Sequence, residues 1–272
     1  AKVRGLASAR TNATMTLTGP ANWSFETPYG PSSLAVHPIN RDRIFPRPVG
    51  WMAGGEIGIR RDQISDREVA IAAPVGEGFR RQDMLAFLRW TLPSLIEVFP
   101  DFTERLLSVG SGQDMWRGGL SGPSSLYIHP ERPLISGNAT STLLHELIHV
   151  ALGNLPGRKD DWLVEGMAEY YSLELLRRTS GISEARFQGS LSKLADWAER
   201  ENGHLTDPST GANTAFAVLT LHDLATNLAA RGLNMDDLVI RLQDGELSST
   251  GLESILRDLA VEYELPPLET AQ

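Results

Sequence analysis

The chain has 272 residues, 41% of them hydrophobic, enough for one large globular domain or two small ones and too apolar for a disordered chain. A net charge of −9 and a pI near 5.2 argue against electrostatic binding to nucleic acid or to an anionic membrane surface, and no segment approaches the ~20 apolar residues of a membrane span. Cysteine is absent, which excludes disulfides and thiolate metal ligation, so any metal site must be built from His and carboxylate.

Residues 1–50 are rich in Thr, Pro, Gly and Asn, with brief alternation at Met15 and Leu17 and no helical period; they predict a small β or irregular lobe, with Trp23, Phe25 and Tyr29 packing it onto the rest. The numbering begins at Ala1 rather than Met, which suggests either a trimmed chain or a mature exported protein and leaves the compartment open, cytoplasm included. From Trp51 the pattern tightens. Residues 56–60 and 68–72 read as strands, 81–99 as an amphipathic helix kinked or broken near Pro93, and 106–109 as a further strand. The glycine-rich run Met115-Trp116-Arg117-Gly118-Gly119-Leu120-Ser121-Gly122 reads as a turn leading into a strand at Ser125-Leu126-Tyr127-Ile128. An extended peptide can pair with such a strand where it forms a sheet edge, which makes Gly118, Gly119 and Tyr127 candidates for a substrate cleft; an ordinary hairpin turn is the competing reading.

The most informative stretch is His145-Glu146-Leu147-Ile148-His149. On an α-helix, positions 145 and 149 lie only ~40° apart around the axis and Glu146 ~100° from His145. Two imidazoles can then close on one metal ion, leaving a position for water and a carboxylate close enough to take its proton. Asn138, Thr140 and Ser141 offer N-cap oxygens, the following residues are apolar nearly all round, and Gly153 is a natural stop. After a Gly/Pro loop over 153–161 comes Trp162-Leu163-Val164-Glu165-Gly166-Met167-Ala168-Glu169-Tyr170-Tyr171, a second helix with Asp160 or Asp161 as N-cap. Glu165 and Glu169 share one face a turn apart, which is costly unless both have partners such as a metal and a ligand imidazole. Gly166, a poor helix former, suits a place where two helices approach closely.

HELIH followed by WLVEGMAEYY resembles the zinc site of the gluzincin metallopeptidases, the thermolysin-like superfamily, and is similar in particular to the bacterial glycyl-aminopeptidase family and its single-catalytic-domain relatives. The resemblance is strong at these two helices and weak elsewhere between residues 50 and 245. It implies one zinc ion held by His145, His149 and Glu165, with Glu146 as general base, Glu169 orienting His145, and a peptide or protein as substrate. Two departures stand out. The family has a glutamate after Gly-Gly-Leu near the substrate's amino end, where this chain has Ser121, which puts aminopeptidase specificity in doubt. The family's oxyanion-stabilising Tyr is also missing, and between Tyr171 and Tyr263 no tyrosine exists; His222, His204 or Tyr127 would have to stand in, although a lone His among leucines, as His222 is, more often belongs to a core.

Beyond the zinc helices the chain reads as helical over 183–201, 213–231, 236–243 and 252–260, with Phe187, Leu191, Leu194 and Trp197 expected on a core face. The expected architecture is α+β: a mixed or antiparallel sheet beside the zinc helix, a helical half after it and the cleft between them, with residues 51–272 forming the catalytic domain behind the N-terminal lobe. A zinc-dependent peptidase is the expected function, and a catalytically weak, zinc-bound peptide-binding protein is the alternative.

Overall fold

In the computed structural model, which describes residues 12–30, 37–39, 46–112, 114–153, 160–206, 208–263 and 266, four short strands come first: Ala13–Met15 (β1), Ser24–Glu26 (β2), His37–Ile39 (β3) and Ala53–Gly55 (β4). They pair antiparallel as β1 with β3 and β2 with β4. Much of the expected N-terminal lobe, residues 1–11, 31–36 and 40–45, lies outside the described residues, as do residues 154–159 of the Gly/Pro loop.

Two compact units make up the chain, one of Ala1–Leu85 with Thr103–Glu131, the other of Ala86–Phe102 with Arg132–Gln272. The first holds a five-stranded mixed sheet of Ile57–Ile64 (β5), Arg67–Pro74 (β6), Arg105–Gly110 (β7), Gly119–Gly122 (β8) and Ser125–Ile128 (β9), in the order β5-β6-β7-β9-β8. β5 and β6 turn through Ser65 and Asp66, both at positive φ, the backbone a two-residue hairpin requires. β6 has β5 on one side and parallel β7 on the other, which is why Val69–Ala73 is a continuous buried run instead of an alternating one. Ala70, Ala72, Leu107, Val109 and Tyr127 bury one patch of this sheet, covered by Trp51, Ala53, Ile57 and Ile59.

The sheet edge differs from expectation. β9 has parallel β7 on one flank and antiparallel β8 on the other, so both its backbone edges are engaged. The end of the glycine-rich run is itself an outer strand, β8, so the edge on this side of the sheet is Gly119–Gly122 rather than 125–128. Trp23 also departs from its expected packing role: it is 45% exposed, lying against Phe25 at a 6.1 Å ring separation, whereas Tyr29 is anchored by donating its hydroxyl to the Val49 carbonyl at 2.8 Å. Nothing in the local pattern announces the most buried charge of this unit. Glu26 is fully buried, takes Arg105 and Arg61 as ion-pair partners, and Arg105 also reaches Glu68.

The helix Arg81–Val98 (α1), whose first turn counts with the first unit, runs through Pro93 without a break in assignment. The second unit continues with Thr142–Leu152 (α2), Asp161–Arg178 (α3), Glu184–Arg200 (α4), Ala212–Ala229 (α5), Met235–Asp244 (α6) and Ser249–Glu262 (α7). α3 is the hub, packing on α2 and α5, while α4 lies along α5 and α6 beside α7. Twelve of its eighteen residues are buried. Buried Glu174 is paired with Arg177 and Arg178, and Asp236 at the start of α6 takes both Arg178, at 2.5 Å, and the Tyr171 hydroxyl, at 2.9 Å. Asp160 holds the N-cap position of α3 but at φ 72°, without a side-chain cap; its carboxylate instead accepts from Ser249.

Gly166 lies where α3 packs tightly on α5. A Cβ there would stand 2.9 Å from the Ala217 Cβ and 3.1 Å from the Leu221 Cδ1, inside normal contact. Gly166→Val is therefore expected to push the two helices apart and lower the free energy of unfolding by about 1–3 kcal/mol, the usual range for overpacking. Denaturant titration of the two proteins checks this, and an unchanged midpoint and slope would show that the helix pair yields.

Candidate metal centre

The start of α2 is fixed twice. Ser141 accepts the Leu144 N–H at 3.3 Å as a side-chain N-cap, and a reciprocal pair with Ser172 of α3, 3.2 Å in each direction, ties that cap to the neighbouring helix. One turn on, His145 and His149 project towards α3. Their Nε2 atoms are 3.1 Å apart; His145 Nε2 is 3.4 Å from one oxygen of Glu165 and His149 Nε2 is 3.3 Å from the other. His145 Nδ1 is 3.0 Å from Glu169 Oε2.

These distances can be tested against a metal. Tetrahedral zinc with ligand bonds of ~2.0–2.1 Å places its ligand atoms ~3.3–3.4 Å from one another. The spacings of 3.1 Å between the imidazole nitrogens and of 3.4 and 3.3 Å from each to a different oxygen of Glu165 are of that size, and one ligand atom from each of the three residues would leave a fourth position for water or substrate. The two Nε2 atoms, 3.1 Å apart, are at hydrogen-bond distance when one of them is protonated, and would both turn lone pairs towards a shared cation when neither is. An ion centred on these atoms would meet no other His, Asp or Glu among the described residues that completes such a group.

The electrostatics agree. Burial works to lower the pKa of His145, but hydrogen bonds and charge from Glu165 and Glu169 outweigh it, and without a metal the imidazole is pushed up to about 10. Burial works to raise Glu165, yet its contacts with His145 and His149 hold it down at about 2. The cluster is thus arranged to hold positive charge between its carboxylates. Since Glu169 faces Nδ1, the Nδ1–H tautomer is the one it favours, and that tautomer turns the Nε2 lone pair towards Glu165 and His149.

Glu146 is buried on α2 and stands outside the three-residue group, as its ~100° offset from His145 requires. The remaining sequence candidates have neighbours of their own. The ring of His222, on α5, packs against Tyr170 at 6.3 Å and Phe187 at 5.8 Å. His204 is exposed, with its Nδ1 3.1 Å from the Asn202 carbonyl oxygen. Within the first unit Tyr127 is fully buried against Trp51 and donates its hydroxyl to the Trp116 carbonyl at 3.0 Å. Gly118 and Gly119 are buried at the beginning of the β8 edge, and Ser121 is exposed on it. Ser141 and Ser172 escaped the sequence reading as a pair, because only the α2–α3 contact makes them one.

No family model matches the chain, and no curated protein matches it in sequence. Solved structures do. The chain is similar to an aminopeptidase N family protein from Idiomarina loihiensis, with a TM-score of 0.69 and 15% identity over 98% of this chain and 57% of that one. It is similar to an M1 zinc metallopeptidase from Deinococcus radiodurans, with a TM-score of 0.56 and 20% identity over 97% of this chain and 64% of that one. A third likeness is to native yeast LTA4 hydrolase, with a TM-score of 0.58 and 15% identity over 93% and 44%. The chain thus spans between about two fifths and two thirds of the length of these proteins. Its fold, a mixed sheet and seven helices among the described residues, is the α+β fold of the M1 aminopeptidase-like catalytic region. At the level of fold this agrees with the resemblance carried by HELIH and WLVEGMAEYY.

Proposed function

From the fold of the M1 zinc metallopeptidases, we propose that this chain is a zinc-dependent peptidase. The observation that carries the reading is the coincidence of three candidate ligand residues, His145, His149 and Glu165, with ligand atoms within 4.8 Å of one another, and a buried glutamate one residue past the first of them. His145, His149 and Glu165 would hold one zinc. Bound there, zinc would polarise the scissile carbonyl and bring the pKa of a water down towards ~7. Glu146 takes that water's proton as it attacks and returns it to the nitrogen of the departing amine, so one carboxylate serves as base and then acid. Glu169 accepts the Nδ1–H of His145 and keeps the Nε2 lone pair aimed at the ion. Gly118 and Gly119, where the β8 edge strand begins, are kept as proposed neighbours of an extended peptide that would pair with that strand. With Ser121 in place of a carboxylate that would hold a free amino end, internal peptide bonds are the proposed target.

A second reading, a zinc-bound protein that holds peptides without efficient turnover, is favoured by one observation: the rings of His222 and His204 have other surroundings and the Tyr127 hydroxyl is already given away, so no oxyanion donor is assigned. Incubating the zinc-loaded protein with a mixed peptide library, with and without chelator, decides between them. Internal cleavage that the chelator abolishes supports the peptidase. Release of single N-terminal residues would reassign it as an aminopeptidase, and binding without cleavage would leave the second reading.

Glu169→Gln is expected to lower zinc affinity about 10- to 100-fold, the usual effect of losing the partner that orients a ligand imidazole. Competition for zinc against a chelator of known strength measures it. An unchanged affinity would mean that the 3.0 Å contact does not orient His145.

A further inference from the structure

Glu169 has a second neighbourhood besides His145. With Leu173 of the same helix it forms part of the wall of a cavity of about 420 Å³, bounded by the residues ahead of α2, the middle of α3 and one face of α4. Lys193, Leu194, Trp197 and Arg200 lie on that face, spaced so that Lys193 and Arg200, seven positions apart, stand ~20° from each other around the helix. Leu194 and Trp197 were expected in a core; both are only half-buried and line this cavity instead.

The charge on the lining is uneven. Two cations, Lys193 and Arg200, are exposed at the rim, and Arg200 has only a loose contact with Glu201, 3.8 Å, in which both side chains are more than half exposed. Glu169 is the carboxylate among the described lining residues, and its charge is engaged by His145. Asp196 and Glu199, the other acids of this part of α4, do not line the cavity. In a chain of net charge −9, two cations lining one cavity give it a charge complementary to an acidic group.

We propose, resting on the peptidase reading, that this cavity is a specificity subsite for an acidic side chain of the substrate. The carboxylate of an Asp or Glu lies between Lys193 and Arg200, and its methylene carbons lie against Leu173, Leu194 and Trp197. A chain-terminal carboxylate fits less well, since it would carry its peptide N–H onto the apolar part of the wall without a partner. Glu169 then joins two tasks, with one side of the carboxylate on the ligand imidazole and the other facing the subsite.

The test uses zinc-loaded Glu146→Gln protein and pairs of N-acetylated, C-amidated peptides identical except for Glu or Gln at one position, that position being walked along the sequence. At one position the Glu peptide is expected to bind about 10-fold more tightly than its Gln twin, by calorimetry or Trp197 fluorescence, with the ratio shrinking as salt rises. The double variant Lys193→Glu/Arg200→Glu, with zinc content and unfolding temperature as controls for folding, is expected to lose the preference. Twins that bind equally at every position, or fail to bind at all, would overturn the proposal, as would a preference that survives the double variant. Cleavage by the wild type keeps the two claims separate. Acid-selective binding with no cleavage anywhere sinks the peptidase reading and leaves the subsite standing, whereas cleavage without acid selectivity does the reverse.

Discussion

Glu146→Gln should leave zinc content unchanged and reduce peptide cleavage by about 10² to 10⁴, the range expected when a positioned general base is removed. Gln is nearly isosteric and can still hydrogen-bond, so the buried position on α2 keeps its shape and loses only the ability to take a proton. The three candidate ligand atoms belong to His145, His149 and Glu165, and Glu146 is not among them. Rate and metal content must therefore separate. Cleavage assays run beside metal analysis on the same preparation check this. A variant that cleaves as fast as wild type would move the base elsewhere, and one that loses zinc would mean that Glu146 helps to hold the ion.

The largest effect on stability is expected in the sheet-bearing unit. Glu26→Ala removes the carboxylate that pairs with Arg105, a guanidinium only 8% exposed, and leaves that charge with Glu68 and the Thr27 carbonyl for company. Removing one partner of a buried ion pair costs about 3–5 kcal/mol, because the desolvated partner remains. The double replacement Glu26→Leu/Arg105→Leu, which removes both charges, should be less destabilised than the single variant. Urea unfolding of the three proteins measures the difference; a Glu26→Ala protein as stable as wild type would show that Glu68 alone compensates Arg105.

What the sequence disclosed follows from how far each signal reaches along the chain. The juxtaposition of His145 and His149 is a property of one helix turn, and that of Glu165 and Glu169 of another, so both were legible before any fold was known. Gly166 was legible for the same reason: a glycine inside a helix is unfavourable enough to need a cause, and Ala217 across the seam supplies it. The mixed sheet was legible as a set of apolar runs, but its order was not. Whether Ser125–Ile128 is an edge or an interior strand depends on Gly119–Gly122 pairing on its far side, and a run of glycines and exposed residues carries little β signal. Tyr127 and His222 were candidates because aromatic and imidazole groups serve equally in sites and in cores. Their neighbours, Trp51 for the one and Tyr170 and Phe187 for the other, are set by packing that the sequence does not spell out. The face of α4 shows the converse: its spacing reads as core, while the cations at Lys193 and Arg200 on that same face were the sign, unweighed, that half of it lines a cavity.

The measurement that bears most directly on this account is zinc content after reloading and dialysis, compared between wild type and Glu165→Ala. The proposed three ligands on two helices predict about one zinc per chain in the wild type and its loss in the variant, since two imidazoles on one helix would make a far weaker site. A wild-type protein that retains no zinc, or a Glu165→Ala protein that retains as much as wild type, would contradict it.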